Sequence, residues 1–152
     1  MKKRIAMVLM ALMLVTAAAG AEEFAVEKEN ALAAVKVSLP EAVVDYAVRD
    51  YDDGGYEWIL FFTQGSQIGE AKVLERTNEI RKVTLYEKKE GMLTASEAMA
   101  LLAEKKGALV VKDLDLDRDD GVMCYEGEAE LDGKRYEFEM SATGQIIEWE
   151  RD

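Results

Sequence analysis

The chain contains no histidine. That removes His-based triads, the usual zinc-protease ligand sets and imidazole acid–base chemistry. It has a single cysteine, Cys124, so an exported form has no internal disulfide. Cys124 alternates with Met123 and Tyr125 at the start of a predicted strand, and its acidic neighbours hold a thiol protonated. It reads as a small strand residue rather than a nucleophile. There is no phosphate loop, nucleophile elbow or cofactor fingerprint. Carboxylate pairs of the kind glycoside hydrolases use are so frequent that their spacing selects nothing. No catalytic residue, cofactor site or metal site is assigned from the sequence.

Basic residues are also scarce: 19 Lys and Arg stand against 31 Asp and Glu, for a net charge of −12. Three of those bases, Lys2, Lys3 and Arg4, precede the long uncharged run from Ile5 to Ala18. Small residues Ala18, Ala19, Gly20 and Ala21 follow. This pattern predicts an export signal over residues 1–21, cleaved after Gly20 or Ala21. The apolar run is short for a spanning helix, which needs about 20 residues; an uncleaved anchor is the alternative. Cleavage removes three bases and no acid, taking the net charge from −12 to −15. Such a surface repels nucleic acid and anionic membranes. The expected location is secreted, periplasmic or elsewhere in a bacterial envelope, with no membrane association once the signal is removed.

What remains reads as one motif written twice, over residues 22–90 and 91–152. In the first copy, Val26 to Lys36 forms a helix that Leu39-Pro40 breaks. Val44, Tyr46 and Val48 alternate with Asp45, Ala47 and Arg49 as in a half-buried strand. Tyr51 to Gly55 is a turn, followed by strands over Tyr56 to Thr63, Ile68 to Glu75 and Ile80 to Glu87. In the second copy, Thr94 and Glu97 form a capping box. Lys105, Lys106 and Gly107 suit the end of that helix. Strands follow near residues 109–117, 122–131, 134–141 and 145–150, with Asp132-Gly133 as a tight hairpin turn. The copies align by Tyr56 with Tyr125, and by Thr77 with Thr143. The predicted fold class is α+β: two tandem units, each one helix on a roughly four-stranded antiparallel sheet.

Alternation sorts the faces of the second copy. Leu114, Leu116, Tyr125, Ala129, Leu131, Tyr136, Phe138, Met140, Ile147 and Trp149 point toward the helix, and Gly127 leaves room for the helix to approach. The opposite face carries Asp113, Asp115, Asp117, Glu126, Glu128, Glu130, Glu137, Glu139, Glu148 and Glu150, offset by Arg135 and Arg151. Like charges side by side destabilise a sheet by a few tenths to about 1 kcal/mol per pair. The face is either a solvated surface, a site for a basic protein partner, or a weak divalent-cation surface. Asp115, Asp117, Asp119 and Glu126 imitate an EF-hand, but Asp120 stands where the loop requires glycine, so the segment reads as a hairpin turn. In the first copy, Ile59 and Phe61 give the Tyr56 to Thr63 strand a second apolar face. Either the two copies bury it between them, or it is an exposed docking strip.

Thr94-Ala95-Ser96-Glu97-Ala98, then Asp120-Gly121, Tyr125 and Tyr136 through Ile146 with its Ala142-Thr143-Gly144 turn, resemble a PepSY domain over about residues 93–152. Residues 26–88 resemble a degenerate second copy in which Asn78 replaces the turn glycine. The resemblance implies a helix packed on an antiparallel sheet and no catalytic residues. It also implies a non-enzymatic role, modulating or inhibiting a peptidase or another envelope protein. Because no peptidase domain follows, such action would be in trans.

Overall fold

The computed structural model describes residues 24–52 and 54–152; the predicted export signal lies outside them. Among the described residues, two helices and eight strands follow one another in two like sets. The first is α1 (Ala25–Ser38), β1 (Val43–Asp52), β2 (Gly55–Gln64), β3 (Gln67–Leu74) and β4 (Ile80–Glu87). The second is α2 (Ala95–Lys106), β5 (Val110–Asp119), β6 (Val122–Leu131), β7 (Lys134–Ser141) and β8 (Ile146–Arg151). Each set of strands is a sequential antiparallel meander, β1-β2-β3-β4 and β5-β6-β7-β8. The α+β class and the twofold organisation are therefore as the periodicity predicts.

Local chemistry places these elements. The Thr94 hydroxyl accepts from Glu97 N, and the Glu97 carboxylate accepts from Thr94 N at 2.9 Å, which satisfies two donors at the start of α2. Two hairpins turn on Asp-Gly pairs with positive φ at both residues: Asp120-Gly121 (46° and 82°) and Asp132-Gly133 (52° and 72°). Such turns match the strand twist and need residues tolerant of the left-handed region. The EF-hand-like segment is thus a two-residue hairpin.

The two sheets share their irregularities. β1, β2 and β3 begin 67 residues before β5, β6 and β7, as Val43 and Val110, Gly55 and Val122, and Gln67 and Lys134 show. The first strand of each unit carries an extra residue at its third position, Asp45 in β1 and Lys112 in β5. The last strand of each carries one at its second position, Arg81 in β4 and Ile147 in β8. This register pairs Tyr125 with Trp58, not with Tyr56 as the sequence comparison suggests. It also corrects two strand faces. The bulge at Asp45 sends Val44 toward α1 while Tyr46 and Val48 turn to the other side. The bulge at Ile147 leaves that side chain half exposed and puts Ile146 against the core.

The first unit packs Ala31 and Val35 of α1 on Trp58, Leu60, Phe62, Ala71 and Val73. In the second unit Ala98, Met99 and Leu102 of α2 meet Leu114, Tyr125, Ala129, Phe138 and Met140. This second core continues into the first unit. Val48, Ile59, Phe61 and Ile68, on the far face of the first sheet, belong to it. The Phe61 and Tyr125 rings meet edge to face at 6.3 Å. Fully burying a residue of this size contributes roughly 1.5–3 kcal/mol. Ile59 and Phe61 are therefore interior, and the docking-strip alternative for them is corrected to burial between the units.

Gly127 sits where β6 passes the bulge of β5. A side chain there would clash with the Asp113 carbonyl oxygen and meet Leu114 Cα at 3.1 Å. The close neighbour is the adjacent strand's backbone, not the helix. Because backbone cannot swing aside, Gly127→Ala should lower stability by about 1–3 kcal/mol. Thermal melting checks this, and an unchanged midpoint would contradict it.

Candidate functional site

The candidate site is the face of the second sheet turned away from α2. Strand pairing lays its carboxylates side by side in rows: Asp113 beside Glu128 beside Glu137 beside Glu150, and Asp115 beside Glu126 beside Glu139 beside Glu148. Eight of the ten acidic residues read from the alternation thus form one array. All of them except Glu150 line a shallow depression of about 310 Å³. Asp117 lies at one end, beside Cys124, and Glu130 at the other, beside Arg135.

Few cations balance the array. Arg135 approaches Glu128 at 3.8 Å, and Lys112 approaches Glu130 at 3.8 Å, both at one rim. Arg151 pairs with Tyr136 and lies on the helix side, so it does not offset the face as the alternation suggested. Lys72 of β3 does, holding Asp115 at 2.6 Å across the junction of the units. Burial, then the charges of Asp50 and Asp115, push the Asp113 carboxyl up to about 6. Burial and then Glu139 raise Glu126. Cys124 is buried, and burial together with Glu139 pushes its thiol up to about 12, which keeps it an inert thiol.

The internal repeat shows what this face corresponds to. With β1–β3 laid on β5–β7, Asp115 takes the place of Val48, Glu126 of Ile59, Glu128 of Phe61, Glu137 of Glu70 and Glu139 of Lys72. In the first unit these positions are buried or half-buried beneath the second unit. In the second unit the same face has nothing over it among the described residues. The same sheet face thus carries Val48, Ile59 and Phe61 with few charges where it is covered, and rows of carboxylates where it is open.

The covering of the first face uses carboxylates that sequence reasoning missed. Glu70, buried on β3, accepts Leu116 N of β5 at 2.9 Å. Asp45, at the β1 bulge, accepts Ser96 N in the first turn of α2 at 2.9 Å. Tyr125 donates its hydroxyl to the Leu93 carbonyl at 2.9 Å, beneath that helix start. Glu70 and Lys72 flank the buried Ala71 in a strand whose outer side gives no local sign of cover. Alternation alone could only turn them toward solvent.

The comparisons with known proteins bear on the second unit. Residues 92–150 match PepSY, described as the peptidase propeptide and YPEB domain. The C-terminal unit is therefore a PepSY-like domain. The first unit is related to it by internal symmetry, in strand order and in both bulges. No curated protein matches the chain. Among solved structures, a provisionally named lipoprotein of Clostridium difficile 630 is similar at 14% identity and a TM-score of 0.44. The likeness covers 82% of this chain and 92% of that one. The PepSY module carries no catalytic residues, and the chain has no histidine. Among the described residues no group of three or more Asp, Glu or Cys side chains converges to hold a metal ion.

Proposed function

We propose that this is an exported binding protein that presents the acidic face of its second sheet to a basic protein partner, and so modulates or inhibits a peptidase or another envelope protein in trans. The observation that carries this reading is the equivalence of the two sheet faces. In the first unit the face is a protein-docking surface, occupied by the second unit. In the second unit it is open, and its carboxylates select a Lys- or Arg-rich partner. The PepSY match and the signal-like leader support an envelope setting, secreted or periplasmic. The alternative is a cation-responsive sensor or structural protein, whose melting temperature would rise with added calcium. Without a converging ligand group among the described residues, the protein partner is preferred.

The test is to add the purified protein to secreted peptidases from the same source. The expected result is reduced peptidase activity and a complex on a sizing column that dissociates as salt is raised. Replacing the neighbouring Glu128 and Glu137 by lysine should weaken the complex by about tenfold or more, mainly by slowing association. No complex and no change in activity would sink the peptidase reading. A complex indifferent to salt and to both substitutions would sink the acidic face as its site.

A further inference from the structure

Each sheet ends in edge strands, and three of the four are closed or defended. β1 and β5 lie against each other at the junction of the units. There Glu70 takes the outward Leu116 N–H. β8 carries Glu148 and Glu150, which would face like charges in any self-pairing. β4 is different. Its residues run Ile-Arg-Lys-Val-Thr-Leu-Tyr-Glu, and Val83 and Leu85 are 40% and 36% exposed. Uncovered edges with this composition recruit further strands.

The backbone of β4 shows which groups are free. Lys88 N donates to the Ser66 carbonyl, and Leu74 N to the Glu79 carbonyl. Antiparallel pairs alternate between bonded and non-bonded, so these two bonds fix the phase along the strand. Lys82, Thr84 and Tyr86 direct their backbone groups at β3. Val83, Leu85 and Glu87 direct theirs at the outer edge, which no other strand pairs with among the described residues.

We propose that β4 pairs antiparallel with β4 of a second copy of this chain, about a twofold axis at Thr84, joining the two first-unit sheets into one. In this register Val83 of one copy exchanges both backbone hydrogen bonds with Leu85 of the other. Their exposed side chains meet on one face. The cationic end at Arg81 and Lys82 lies against Glu87 of the second copy, in both halves. Arg81 already bridges Asp52 at 3.0 Å and Glu57 at 2.9 Å, so its guanidinium is held at the edge rather than swinging free. A shift by one residue would set Thr84 against Leu85 and break the phase of the outward bonds. The alternation rules out odd shifts, and the charge pattern picks this register from the even ones.

The acidic surface opposes this contact, because two copies of net charge −12 repel. Salt should therefore strengthen the dimer, the reverse of its effect on a basic partner at the acidic face. Sedimentation of the purified protein over a range of concentrations tests the proposal. The mass should rise from one chain to two, at lower concentration in high salt. Leu85→Pro removes an outward N–H without touching the ladder to β3, and should weaken association by about tenfold or more. Glu87→Lys, at the exposed end of the strand, sets like charges together and should do the same if the proline variant fails to fold. A single-chain mass at every concentration overturns the proposal. So does a dimer indifferent to Glu87→Lys and Val83→Lys.

Discussion

Phe61→Ala should destabilise both units at once, by about 3–5 kcal/mol. Phe61 is 1% exposed and lies on the face of the first sheet that the second unit covers. Its ring meets Tyr125 at 6.3 Å and Tyr46 at 6.4 Å. Truncation leaves a cavity that either unit could fill only by shifting against the other. Against a total stability of about 5–15 kcal/mol, the loss is large. Phe62→Ala is the control. Phe62 is equally buried but faces α1 in the first unit's own core. Hydrogen exchange separates the two. Phe61→Ala should speed exchange at α2 and β5 as well as β2, whereas Phe62→Ala should act first on α1 and its sheet. If Phe61→Ala leaves exchange in α2 and β5 at wild-type rates, the shared core is wrong.

The second large effect is a pH dependence that originates at the same junction. Glu70 is buried, and burial pushes its carboxyl from 4.5 up to about 7, against the opposing bond from Leu116 N. The charge of Asp115 raises it further, while Lys72 and Lys82 lower it. The folded state therefore holds a proton that the unfolded chain has released. Stability from this group is complete below about 4.5 and is lost as pH rises through about 7. At pH 8 the cost is on the order of 3 kcal/mol. Glu70→Gln stays neutral and still accepts from Leu116 N. It should melt like the wild type at pH 4 and markedly higher at pH 8. Asp113, pushed up to about 6, remains in the variant, so the slope with pH should shrink without vanishing. A variant that melts below the wild type at pH 8 would show that the ionised carboxylate, held by Lys72 and Leu116 N, stabilises the junction after all.

Much of this architecture was legible because it rests on local signals. The Thr94–Glu97 box, the Asp-Gly turns and the alternating strands each specify their element without help from the rest of the chain. The acidic array was legible for the same reason, since strand period alone gathers Glu126, Glu128, Glu137 and Glu139 on one side. The bulges were not legible. An extra residue at Asp45 or Ile147 inverts the alternation beyond it, and neither residue type announces a bulge. The junction was half legible. Ile59 and Phe61 betray a covered strand, but Glu70 and Asp45 find their partners in backbone N–H groups of the other unit, which no spacing along the chain encodes.

The matched bulges say something about ancestry. Both copies kink at the same two places, although the residues there differ: Asp45 against Lys112, and Arg81 against Ile147. Backbone shape is shared where side-chain identity is not, as expected if the kinks were present before one unit was doubled into two. The far sheet face differs between the units, greasy where it meets the sister module and charged where it meets water. A third module laid on this second face would meet carboxylates instead of an oily landing ground.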